Sequence, residues 1–104
     1  MDATHPKIQA FLRAWHEDER ARFDRNGYMN LVYDEYAPKS AHDRRKYIAL
    51  DRAAGAAGRS GVYLVDRATE RVYTIKAYGV PNRFIGTLDD MLAQFATHRH
   101  AVEG

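Results

Sequence analysis

The sequence predicts an α+β domain in which a small antiparallel sheet packs against an N-terminal and a C-terminal amphipathic helix. Three observations carry this. Apolar residues recur at helical spacing over about 5–25, two alternating segments at about 61–66 and 71–78 flank a short polar turn, and a second helical stripe runs over about 88–98. With 104 residues the chain forms a single domain, 1–104, with one core and no room for a second beside it.

The first helix is marked by Ile8, Phe11, Leu12, Trp15 and Phe23 on one stripe, with Lys7, Arg13, Glu17, Arg20 and Asp24 largely off it. Thr4 is the expected cap. Pro6 suits the first turn, where an amide hydrogen has no helical partner, and Asn26-Gly27 offers a left-handed stop. Residues 28–38 are apolar and aromatic without a clean period, and read as a short helical turn ended by Pro38.

The stretch 41–53 suits two structures. Ser40 and Asp43 have capping-box spacing, and the residues that follow propagate a helix on propensity. Ile48 and Leu50 also alternate with Tyr47, Ala49 and Asp51, as in a strand. The glycines from Gly55 to Gly61 make a connection, not a phosphate loop, because no Gly-Lys-Ser/Thr follows and no helix opens there.

In the hairpin, pairing Val65 with Val72 sets Leu64 opposite Tyr73, Tyr63 opposite Thr74 and Val62 opposite Ile75. One face then gathers Val62, Leu64, Tyr73, Ile75 and Ala77, and is expected to lie beneath the first helix. The other carries Tyr63, Val65, Val72, Thr74, Lys76 and Tyr78 and is expected to face water. After Gly79-Val80-Pro81-Asn82 leaves the strand, Thr87 caps the second helix. Asp89 and Asp90 occupy its first turn, and Leu88, Met91, Leu92 and Phe95 form its stripe.

The run Arg45-Lys46-Tyr47-Ile48-Ala49-Leu50-Asp51, the hairpin from Arg59 through Asp66-Arg67-Ala68-Thr69-Glu70 to the Lys76-to-Pro81 exit, and Ile85-Gly86-Thr87 resemble a group of small uncharacterised bacteriophage proteins. The likeness spans about 45–87. It implies a strand over about 46–52, and so a three-stranded antiparallel sheet (about 46–52, 61–66, 71–78), and it supplies no catalytic residue. Glu70 departs from the pattern, standing where such hairpins carry a positive-φ glycine, at a cost of about 1 kcal/mol.

Charge is unevenly distributed. Residues 1–38 sum to −2, residues 39–83 to +6 and residues 84–104 to −2, so positive charge collects on the sheet segment. The absence of cysteine excludes disulfides and thiolate chemistry. No apolar run approaches the roughly 20 residues of a membrane span, and the first residues lack a signal-peptide pattern, so a cytoplasmic protein of the host cell without membrane association is expected.

Chemistry is sparse at this level. His5, His16, His42, His98 and His100 show no metal-ligand spacing, Ser40 and Ser60 lie in no nucleophile elbow, and the paired carboxylates fit exposed or helix-starting positions. No enzymatic activity, metal or cofactor is expected. Two binding roles remain. A protein-interaction module acting on a host or phage protein through a helix face or the exposed strand edge would draw on the aromatic patch Tyr28, Tyr33 and Tyr36, with homodimerisation through that segment or an edge strand as its variant. A single-stranded nucleic-acid binder would use Lys46, Tyr47, Arg59, Tyr63, Arg71, Lys76 and Tyr78, which combine cations for phosphates with rings for bases.

Overall fold

The computed structural model describes residues 1–26, 38–53 and 58–103. Tyr28, Tyr33, Tyr36 and Gly27 lie outside the described residues, as do the side chains of Phe23, His98 and His100. Helix α1 (Pro6–Asn26) is followed by strands β1 (Lys39–Asp43), β2 (Tyr47–Ala53), β3 (Arg59–Asp66), β4 (Arg71–Ala77) and β5 (Val80–Thr87), and helix α2 (Leu88–Glu103) closes the chain. The strands form one antiparallel sheet in the order β1-β2-β3-β4-β5. Among the described residues no helix is long and apolar enough to cross a membrane.

The sheet therefore has five strands where the sequence predicts three, and both additions are edge strands with weak strand signals. β5 contains Pro81, Asn82 and Gly86, and its pairing with β4 shifts register at three places. An edge tolerates this because an amide facing solvent need not join the ladder. β1, Lys-Ser-Ala-His-Asp, has no β-branched or aromatic residue, so its partner β2 and not its own propensity holds it extended. The expected strand over 46–52 is present as β2.

Cap chemistry differs at one end and agrees at the other. The N-cap of α1 is His5, whose Nδ1 accepts the Lys7 amide at 3.1 Å, and not Thr4, which donates instead to Asp2. At α2, Thr87 Oγ1 accepts the Asp90 amide at 3.2 Å while Asp90 Oδ2 accepts the Thr87 amide at 3.0 Å, a reciprocal capping box.

Which sheet face meets the helices also differs from expectation. Hairpin register is as predicted, Val65 to Val72, Leu64 to Tyr73 and Tyr63 to Thr74. But α1 and α2 cover the side bearing Val65, Val72 and Tyr63, where Ile8, Phe11, Trp15, Leu88, Met91 and Phe95 pack against them with Ile48 and Leu50. The reason is β2. Ile48 pairs with Val65 and Leu50 with Tyr63, which makes that side the more apolar, while β2 presents Tyr47, Ala49 and Asp51 on the other. Val62 reaches the core as well, because the β2–β3 register shifts at Leu50/Asp51 and leaves it as the extra residue.

One buried ionic cluster ties α1 to the β1–β2 edge. Glu19 accepts from Trp15 Nε1 at 3.1 Å, forms an ion pair with Lys39 Nζ at 2.8 Å, and binds the Arg52 guanidinium. Burial holds the Lys39 ammonium below its ordinary range, the Glu19 contact opposing that shift.

Candidate functional site: the helix-free face of the sheet

With both helices on one side, the opposite face of the sheet has none of the described helices upon it. A single row crosses all five strands there: His42, Ala49, Leu64, Tyr73 and Phe84 are successive register partners. Leu64 is only 1% exposed, so the centre of the row is closed, but Phe84 at its edge is 48% exposed. The Tyr73 ring meets those of Tyr47 at 6.2 Å and Phe84 at 5.8 Å, making an aromatic band from β2 to β5.

Cations lie on the rings of this band and on Tyr78. Lys46 Nζ lies 5.4 Å from the Tyr47 ring centroid, Arg71 Cζ 5.2 Å from that of Phe84, and Arg44 Cζ 4.9 Å from that of Tyr78. None of these three cations has a carboxylate within ion-pairing distance among the described residues. Nearby acids are engaged locally. Asp43 binds Arg67 at 2.9 Å, and Asp66 Oδ1 accepts the turn amides of Ala68 and Thr69.

Beside the band lies a polar cluster centred on Asp51, which is fully buried. Its Oδ2 accepts the Tyr78 hydroxyl at 3.2 Å, and His42 Nε2 and Arg59 Nε each approach the same oxygen at 3.7 Å. Arg44 donates in turn to the Tyr78 hydroxyl at 2.5 Å, a contact that raises the guanidinium pKa. Gly61 makes room for this: a Cβ there would stand 2.9 Å from Ile75 Cδ1 and 3.0 Å from Tyr78 Cδ1. Ser40 Oγ lies 2.9 Å from His42 Nε2. That is the same ring nitrogen that faces Asp51, whereas a nucleophile–histidine–carboxylate relay uses opposite nitrogens. The cluster is arranged to hold groups in place, not to activate Ser40. Among the described residues no group of three or more His, Asp or Glu side chains is placed to hold a metal ion.

Of the residues singled out in the sequence, Lys46, Tyr47, Arg59, Arg71 and Tyr78 come together on this face. Tyr63 does not: its ring sits 5.5 Å from Phe11 and 5.0 Å from Trp15, beneath α1. Lys76 is exposed, but alternation along β4 sets it with Val72 and Thr74. Sequence reasoning passed over Tyr73, Phe84, Arg44, His42 and Asp51. The signal for Tyr73 and Asp51 was present in the alternation of β2 with the hairpin. For Phe84 it was masked by Pro81 and Asn82.

A separate cavity of about 750 Å³ borders α1, α2 and the start of β1, lined by Leu12, Arg13, His16, Pro38, Lys39 and Leu92 among others. It carries Arg13, His16, Glu17 and Lys39, of which Lys39 is bound to Glu19. The sheet face combines its charged groups with exposed aromatic rings, which makes that face the better candidate. The chain matches no protein-family model, no curated protein and no solved structure.

Proposed function

We propose that the protein binds single-stranded nucleic acid across the helix-free face of its sheet. The observation that carries this reading is the band Tyr47, Tyr73 and Phe84 bordered by Lys46 and Arg71, with Arg44 against the Tyr78 ring on the same face, cations without carboxylate partners among the described residues. Unpaired bases need flat apolar surfaces and their phosphates need cations, and a small sheet presents both side by side. The rings sit on β2, β4 and β5 with successive centroids 6.2 and 5.8 Å apart, which suits two or three bases. The test is an anisotropy titration with a labelled single-stranded oligonucleotide at increasing salt. With Arg44, Lys46 and Arg71 each neutralising a phosphate, the log–log slope of affinity against salt should be about −2. Absence of binding at about 50 mM salt removes the reading.

A second reading, a non-enzymatic module that binds and modulates a host or phage protein, draws on the exposed Val80 and Phe84 at the β4–β5 edge. Its sequence-level carriers Tyr28, Tyr33 and Tyr36 lie outside the described residues. Under this reading Val80→Glu abolishes partner or self-association, read by light scattering and co-sedimentation, and an oligonucleotide does not compete.

A further inference from the structure

We propose that Asp51 is the group by which this face reads base identity: its free oxygen accepts a hydrogen bond from the amino group of cytosine, adenine or guanine and disfavours uracil and thymine. This rests on the nucleic-acid reading above and extends it from affinity to selectivity. Asp51 stands on the helix-free side yet is fully buried, and while Oδ2 is occupied by the Tyr78 hydroxyl, Oδ1 is buried without a hydrogen-bond partner among the described residues. Buried acceptors in folded proteins are nearly always paired, so an orphaned carboxylate oxygen beside a binding surface marks a place for a donor.

The surroundings narrow the donor. Arg59 and His42 already lie 3.7 Å from the occupied oxygen, and Arg44 is linked to it through the Tyr78 hydroxyl. Positive charge is thus supplied by the two arginines, and a neutral N–H suffices. Cytosine N4, adenine N6 and guanine N1 and N2 all provide one. Uracil and thymine offer only an imide N–H between two carbonyl oxygens, which a carboxylate repels. Tyr78 and Arg59 roof the site and are each about half exposed, so outward movement of either side chain opens Asp51. A base entering there places its edge on Asp51 and its face on the Tyr78 ring, the combination by which unpaired bases are recognised elsewhere.

The experiment compares labelled oligocytidylate and oligothymidylate of equal length by fluorescence anisotropy, with the full chain. The wild type should bind oligocytidylate about tenfold more tightly. Asp51→Asn, which keeps shape and replaces the second acceptor by a donor, should erase or invert that preference while oligothymidylate affinity holds. Equal affinities in the wild type, or a thymidylate preference, overturn the base-reading role and leave the sheet-face reading standing. Binding of neither overturns both. Should Asp51→Asn fail to fold, the wild-type ratio alone decides, and Tyr78→Phe supplies the second variant. That change removes only the hydroxyl and should leave a cytidylate preference in place, whereas loss of the preference in Tyr78→Phe with Asp51 intact contradicts the assignment.

Discussion

The Tyr73 ring stands 5.8 Å from the Phe84 ring at an interplanar angle of 59°, so a β4 residue and a β5 residue present one continuous aromatic surface on the side of the sheet opposite the helices. Phe84 is about half exposed and supports little of the core. Phe84→Ala should therefore weaken oligonucleotide binding by about 1–3 kcal/mol, the worth of one stacked base. Stability in urea should fall by only about 1 kcal/mol, which separates a docking role from a packing role.

The Glu19 cluster behaves in the opposite way. The Lys39 side chain is 1% exposed and its ammonium is held by Glu19, with Arg52 and Trp15 on the other carboxylate oxygen. Glu19→Ala leaves a buried cation without its counter-charge and should cost about 3–5 kcal/mol in urea unfolding. Adding Lys39→Met should recover part of that loss, because the stranded charge goes with it. Oligonucleotide affinity of the folded fraction should not change, since the cluster lies on the helix side.

Gly61→Ala probes the roof over Asp51. The new methyl would stand 2.9 Å from the tip of Ile75 and 3.0 Å from the Tyr78 ring, so Tyr78 must move off β3 and its hydroxyl off Asp51. The melting temperature should fall by a few degrees, about 1 kcal/mol at this chain length, while the cytidylate preference, which rests on Asp51 and not on the Tyr78 hydroxyl, should persist.

Asp90 sets an acid-side dependence. The Thr87 amide, and then the Thr87 hydroxyl, hold its carboxyl below the ordinary 3.8. A carboxylate whose folded pKa is depressed contributes stability that is complete above the unfolded value, and the contribution disappears as pH falls through the folded one. Melting temperature should thus decline below about pH 3.8, and Asp90→Asn should flatten that part of the profile.

Much of this architecture is legible in the chain. Helices α1 and α2 and the hairpin register follow from periodicity and turn grammar, and Glu70, flagged as the departure from the hairpin pattern, takes the left-handed conformation with φ of 60°. Glu70 tolerates that conformation while its carbonyl accepts the Leu88 amide at 2.9 Å and its side chain meets Lys7 at 3.0 Å. What escapes sequence reasoning is decided by partners distant in the chain. β1 and β5 are extended because a neighbouring strand pairs with them, against their own composition. The choice of buried face turns on which side of β2 carries Ile48 and Leu50, and a hairpin apolar on both sides does not reveal it. The Asp51 site joins residues from β1, β2, β3 and the β4–β5 turn, and only the sheet order brings them together.

The most direct measurement is amide chemical-shift mapping of the full chain titrated with a short single-stranded oligonucleotide. Shifts should concentrate at Tyr47, Leu64, Tyr73 and Phe84 and around Asp51 and Tyr78, with α1 and α2 unmoved. Perturbations confined to the helices, or none at saturating oligonucleotide, would contradict the assignment of the sheet face as the binding surface.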